Sequence, residues 1–283
     1  MAKLVYSKQF NSWLDFVTQA EDNPSSIPIR QRESRTHYNT EWNGTNSFEE
    51  AIHLAKYGWP EGTTRTKTKL DILYNSLPSK KIIKEMVMSR VGPGTLDMGR
   101  YQMGHPECLM TWQDSEITTT TSGEIVPILF NFTASSAVST EALFMKGATI
   151  CTLIDLLERT GRRVELDMVL AIRCNSVTPS TARWDIRIKN AQDPLDIDRI
   201  SFALAHASCL RRIGCSLMEQ MPPTLCTKFN VKQFGTYGIP IDVEPSPNTL
   251  YIKSQSLLEG YRREYLISWL KEQLIVFGVE VLD

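Results

Sequence analysis

The stretch VPILFNFTASSAVSTEALF, residues 126–144, decides how this chain is read. A solid apolar run ends at Asn131, and Thr133, Ser135, Ser136, Ser139 and Thr140 follow before a helical pattern begins. Residues 125–132 (IVPILFNF) are too short and too β-branched for a helix, so they predict a buried strand whose start is irregular at Pro127. From Ser139 to about Thr160, STEALFMKGATICTLIDLLERT predicts a long helix, apolar on most faces and closed by Gly161. Hydroxyls placed between a strand end and a helix present fixed oxygens and amides to a metal, a phosphate or a partner's carboxylate, and they equally cap a helix.

Downstream, VELDMVLAIRCN and ARWDIRIKN alternate on either side of the turn-rich SVTPST, the pattern of an antiparallel hairpin. A further helix is expected from near Asp198, carrying Ile200, Phe202, Ala203, Leu204, Leu210 and Ile213. TYGIPIDV and TLYIKS are short strand candidates, and LEGYRREYLISWLKEQLIVFG predicts an amphipathic helix with Leu258, Tyr261, Tyr265 and Trp269 in register. This alternation points to an α/β fold over residues 121–283: a mostly parallel, doubly wound sheet with helices on both faces and a β-hairpin at its edge.

Upstream, residues 1–120 predict a helical, loop-rich part packed on that core. The first 22 residues suggest one amphipathic helix through Phe10, Trp13, Leu14 and Val17. A polar connector with Arg30, Arg32 and Arg35 follows. Ser47-Phe48-Glu49-Glu50 then opens a helix with a capping box. That helix ends at KYGWPEG, where Gly58 supplies a left-handed turn, Pro60 forbids continuation and Trp59 folds back onto the core. A second helix from about Thr66 to Leu77 and a basic, apolar segment, SKKIIKEMVMSRV, lead to a Gly92-Pro93-Gly94 turn.

A chain of 283 residues that is 42% hydrophobic and 22% charged, with a net charge of -1, can bury a sizeable core and has no global basic excess, so a nucleic-acid role would need a local patch. The six cysteines form no CxxC pair and several sit in apolar stretches, as expected of reduced thiols in the cytoplasm. MAKLVYSKQFNSWLDF lacks the apolar core of a signal peptide, and no stretch reaches 18 apolar residues, so no membrane partner is expected.

The strand end at Asn131, the long helix after it and the hairpin after that resemble a von Willebrand factor A domain, whose first strand ends in Asp-x-Ser-x-Ser. That resemblance covers roughly residues 120–283. It implies a divalent-cation site in which Asn131 stands at the Asp position, Thr133 at the first hydroxyl and Ser135 at the second, with acids from later loops. Asn131 offers a neutral carbonyl where a hard cation such as Mg²⁺ favours a carboxylate, so the motif is degenerate unless Asp193, Asp196 or Asp242 compensates. Asp196 and Asp198 are equally placed to cap the helix that follows. The segments NGTNSFEEAIHLAKYGWPEG and LDMGRYQMGHPECL resemble a family encoded by tailed phages and mobile elements. Together the two resemblances imply a viral interaction module, an adaptor beside a ring-forming ATPase of the MoxR type.

Other chemistry is thinner. His105 lies in GHPEC beside Glu107 and Cys108, but a nucleophilic thiol needs a base held at hydrogen-bond distance, and sequence neighbours seldom meet that geometry. No catalytic residue is therefore assigned. The competing reading is a single-stranded nucleic-acid-binding factor, in which Arg30, Arg32, Arg35, Lys80, Lys81 and Lys84 face phosphates while Trp42 and Trp59 stack on bases. The expectation carried forward is a non-enzymatic protein-interaction module that binds through the loops around Asn131–Ser136. Its cofactor is none, or a weakly held Mg²⁺ at Asn131, Thr133, Ser135, Asp196 and Asp242.

Overall fold

Strand β5 (Ile125–Asn131) forms where the apolar run predicts it, and α7 (Thr140–Arg159) follows with Ser139 as its N-cap, the hydroxyl accepting from the Ala142 amide at 3.1 Å. The computed structural model of the chain describes residues 4–22, 25–76, 81–117, 124–174, 179–231, 237–258 and 263–279. β6 (Arg163–Arg173) lies parallel to β5, and β7 (Thr181–Lys189) returns antiparallel to β6, so the predicted hairpin is present.

The N-terminal residues depart from the single helix expected there. Val5–Phe10 is a strand, β1, parallel to β7 in the register Val5↔Thr181 to Phe10↔Ile186, and only Trp13–Asp22 is helical (α1). VYSKQF alternates with a period of two, which a strand at a sheet edge uses and a helix does not. Trp13, Phe16, Val17 and Ala20 form the buried face of α1, whereas Leu14 is exposed. Residues 1–120 therefore contribute a strand to the main sheet as well as helices to its cover.

The connector after α1 carries a 3₁₀ turn (Ile29–Gln31) and two four-residue helices, α2 (Glu33–Thr36) and α3 (Thr40–Asn43). α4 (Phe48–Tyr57) starts at Ser47, whose hydroxyl accepts from the Glu50 amide, while the Glu50 carboxylate accepts from the Asn46 amide at 2.7 Å. The capping exchange is therefore reciprocal, but it reaches back one residue further than expected. Gly58, at φ 93°, ends α4, and Pro60 opens α5 (Pro60–Ser76). Proline suits a first helical position because its missing N–H has no partner to lose there.

Residues 81–117 form a separate antiparallel sheet that was not anticipated. β2 (Lys81–Ser89) pairs with β4 (Leu109–Ile117) from Lys81↔Ile117 to Ser89↔Leu109, and β3 (Thr95–Leu96) pairs with the start of β4. Helix α6 (Met98–Gln102) lies between β3 and β4, and Val91, Met98, Tyr101 and Met103 are exposed at this end. The strands of this hairpin make their extensive contacts with one another.

Beyond β7, α8 (Ile197–Ala205) is capped by Asp196, which accepts from the Arg199 amide at 3.1 Å. The helix predicted to continue to Ile213 breaks at His206. It resumes as a π-helical turn (Cys209–Gly214), α9 (Cys215–Met218) and α10 (Pro223–Phe229). β8 (Ile239–Pro240) pairs with the end of β6, and β9 (Leu250–Ile252) lies parallel to β5. In α11 (Arg263–Val276) the buried seam is Leu266, Leu270 and Leu274, while Tyr265 faces out.

The main sheet thus runs β1-β7-β6-β5-β9, with β8 on β6, and is mostly parallel. Among the described residues, however, helices cover one face only. Val126, Ile128 and Phe130 of β5, with Leu166, Met168, Leu170 and Trp184, pack against Trp13, Phe16, Phe144, Ile154, Phe202 and Leu270 in one core. On the opposite face Leu129, Val169 and Ala171 are covered by Ile241, Val243 and Tyr251, which precede or lie in β9, and no described helix joins them. The rest of that face is an ion-pair ladder: Arg187 bonds Asp167 at 2.6 Å and Glu165 at 3.0 Å, and Arg183 bonds Asp185 at 2.7 Å. Strands that alternate apolar and charged residues bury one face and leave the other to solvent.

Candidate functional site

At the carboxyl end of β5 the Asn131 side chain is fully buried and every polar atom on it is engaged. Its Nδ2 donates to Ile241 O at 2.9 Å and to the Tyr251 hydroxyl at 3.1 Å and lies 3.5 Å from Asp242 Oδ1; its Oδ1 accepts from the Thr133 amide at 3.1 Å. Asp242 Oδ1 also accepts from the Ser254 amide at 2.9 Å and the Tyr251 hydroxyl at 3.1 Å. Burial works against the charge of Asp242, but these donors and nearby Lys253 hold its carboxyl below the ordinary carboxylate value. Of the five residues expected at a cation site, Asn131 and Asp242 come together, with Nδ2 and Oδ1 3.5 Å apart.

Lys146, on the second turn of α7, was not singled out. Its side chain is 2% exposed, and its Nζ donates to the carbonyl oxygens of Asn131 (3.2 Å), Lys253 (2.8 Å) and Ser254 (2.8 Å). Burial pushes its pKa down to about 7, and Asp242 opposes the shift. Three acceptors match the three N–H donors that only the ammonium form carries. The Phe130 ring lies 5.1 Å below the nitrogen and adds a cation–π contact.

The remaining predicted ligands serve other ends. Thr133 is buried, and its hydroxyl accepts from the Ala171 amide at 2.9 Å, tying the segment after β5 to β6. Ser135 is exposed and accepts from the Ala137 amide. Asp196 is remote because β7 runs antiparallel to β6 and carries the following loop to the other end of the sheet; α8 then returns. The Cα of Ala205, at the far end of α8, sits over Gly147, so Asp196 lies about 13 Å of helix away from the Lys146 region. It pairs with Arg199 at 3.5 Å.

A divalent cation, implied by the von Willebrand resemblance, does not fit these residues. Asn131 and Thr133 spend their oxygens on backbone amides, Asn131 turns its amide nitrogen toward Asp242, and a fixed ammonium stands beside them. The neighbouring cavity, bounded by Phe130, Thr133, Lys146 and His206 among others, has a volume of about 20 Å³, the space of roughly one water molecule.

Segment 134–138, above this cluster, is exposed at Ser135, Ser136 and Ala137 yet anchored on three sides. Thr133 holds its root, Trp42 Nε1 donates to Ser136 O at 3.0 Å, and the Arg211 guanidinium donates to Val138 O and Trp42 O. Arg211 also stacks on the Trp42 ring at 4.4 Å, and burial lowers its pKa to about 10. Its neighbour Arg212, 1% exposed, donates to Thr45 Oγ1, Thr45 O, Ser34 O and His37 O. Glu219 completes the anchorage by accepting from the Ser34 amide and hydroxyl and from the Tyr237 hydroxyl at 2.8 Å. Burial raises its pKa. The π-helical turn places Arg211 and Arg212 side by side, and both point at the connector rather than at solvent.

The residues of the nucleic-acid reading are dispersed. Arg32 donates to Ile27 O at 2.6 Å and to Ser25 O; Arg35 lies over the Phe48 ring at 3.9 Å and donates to Glu21 O. Arg30 is exposed. Trp59 packs edge-on against Phe144 and His206, and Trp42 is committed to Arg211 and Ser136. Lys81 and Lys84 lie on β2, and Lys80 falls outside the described residues. His105 accepts from the Glu107 amide within its own turn. No disulfide joins any of the six cysteines, and burial raises the pKa values of Cys151, Cys209 and Cys215.

Fold and site define an α/β protein with a one-sided, mostly parallel sheet and a buried polar knot at its central strand end. The chain belongs to the family described as Domain of unknown function (DUF7192), which matches residues 2–273. Comparison with curated proteins and with solved structures gave no match. Among the described residues no helix is long and apolar enough to cross a membrane.

Proposed function

We propose that this protein is a non-enzymatic protein-interaction module of viral or mobile-element origin, von Willebrand factor A-like in its core, that grips a partner through segment 134–138. The observation that carries this reading is an exposed loop fixed by Thr133, Trp42 and Arg211 rather than by secondary structure. Binding to a loop already held in one conformation avoids the ordering cost that a mobile loop incurs. The succession β5, α7, β6, β7, with β9 beside β5, supports the von Willebrand-like comparison. The strongly shifted side chains near the loop are bonded internally, Lys146 to three carbonyls and Arg211 to two, which supports a scaffolding role for them.

The test compares wild type, Ser136→Arg and the control Glu61→Arg, on exposed α5 surface, for binding to a MoxR-type ring ATPase and for cross-linking in cell extract. The expected result is a loss of about tenfold or more for Ser136→Arg only. Equal binding by all three proteins would place the contact elsewhere and remove the proposal.

A further inference from the structure

The carbonyl oxygens of Asn131, Lys253 and Ser254 converge on one point from two strand ends, β5 and the turn after β9. Carbonyl dipoles aimed together repel unless a positive charge or donor sits among them, and unsatisfied buried acceptors are costly. Asp242 adds a carboxylate whose remaining bonds come from the Ser254 amide and the Tyr251 hydroxyl. A site of this kind, with several oxygens, one carboxylate and an apolar floor at Phe130, has the composition of a hard-cation site. The position is reached instead by a side chain of α7. In LFMKGATICTLI, residues 143–154, Lys146 is the lone charged residue, and its stem passes between buried neighbours to bring Nζ to the three oxygens.

We infer that the Lys146 ammonium is a built-in cation that joins the ends of β5 and β9, making this strand-end site independent of divalent metal. The lysine is a positioning residue: it bonds backbone oxygens beneath the exposed segment and fixes the relative placement of Asn131 and Ser254. A tethered cation has two consequences that a bound metal lacks. Its nitrogen is covalently held at the site whatever the divalent-ion composition, and a chelator cannot remove it. The inference concerns the base of the loop and does not depend on which partner, if any, the loop binds.

The experiment uses the full chain. Thermal melts of wild type are run with chelator and with Mg²⁺, Mn²⁺ or Ca²⁺, and the same melts are run on Lys146→Met. The expected result is a wild-type melting temperature that no divalent ion raises, and a fall of roughly 5 °C or more in Lys146→Met, with faster amide exchange at residues 131–134 and 250–254. A metal-dependent rise in the wild type overturns the inference, as does a Lys146→Met variant that melts and exchanges like wild type. Should Lys146→Met fail to fold, nitrogen-detected NMR of wild-type lysine side chains decides. One slowly exchanging ammonium, absent from the Lys146→Arg spectrum, supports the inference, and rapid exchange at every lysine overturns it.

Discussion

At the scale of single residues, Asn131 is explained by what it donates. An aspartate there would set a carboxylate against Ile241 O and Asp242, where the amide nitrogen now bonds the carbonyl at 2.9 Å. Asn131→Asp therefore loses about 2 kcal/mol or more in urea unfolding, despite its identical shape. Arg212→Met removes the donor from four acceptors at once and is expected to cost about 3 kcal/mol by the same measurement, with the connector of residues 34–45 becoming protease-sensitive. His206 sets a pH dependence. Burial against Trp59 and Phe202 lowers its pKa from 6.5 to about 4, so the unfolded chain takes up the proton first as pH falls. Its contribution is complete above pH 6.5 and is lost as pH falls toward about 4, up to about 3 kcal/mol. Melting temperatures of wild type and His206→Gln across that window should converge in slope only if another group is responsible. Asn131 and Asp242 were legible as candidates from their residue types and strand-end positions, but which acid reaches Asn131 is set by loop geometry that the sequence does not carry. Lys146 and Arg212 were not legible, because a cation inside an apolar helical pattern does not say which backbone oxygens it will meet.

At the scale of elements, the crossing of α7 and α8 depends on Gly147. A Cβ there would stand 2.1 Å from Leu204 O and 2.3 Å from the Ala205 Cα, and both obstacles are backbone. Gly147→Ala should separate the two helices and cost about 3 kcal/mol, although alanine is the better helix former; calorimetry would read it as a lower melting temperature. β5 was readable as an apolar run too short for a helix, α7 as an apolar stretch of helical length with a capping serine, and the β6–β7 hairpin by alternation on either side of a turn. The sheet's open face was also present in the text of β7: Arg183, Asp185 and Arg187 alternate with Ala182, Trp184 and Ile186, which is the pattern of a half-solvated strand. Expecting helices on both faces followed the order of elements and neglected that alternation. β1 was merged into a helix because Phe10 and Trp13 share a helical spacing across the real boundary at Asn11-Ser12.

At the scale of the whole molecule, β2 and β4 belong to a sheet of their own, with no ladder to the main sheet among the described residues. Replacing residues 90–108 by a short turn should leave the main melting transition in place, and a large drop in its midpoint would show that the tip is packed on the core. Arg211, Arg212 and Glu219 draw the connector onto the elements after α8, so residues 1–76 and 124–279 are expected to unfold in one transition by circular dichroism and fluorescence alike. The parallel pairing of β1 with β7 adds a matter of timing. Leu4 reaches its hydrogen bond with Ser180 across 176 residues of chain. On a ribosome adding about 5–20 residues per second, β1 has no seat for on the order of 10–30 s after it emerges. Its Lys8 and the polar alternation of VYSKQF keep a waiting strand from joining the wrong neighbour, so solubility during synthesis is written into the same residues that later close the sheet.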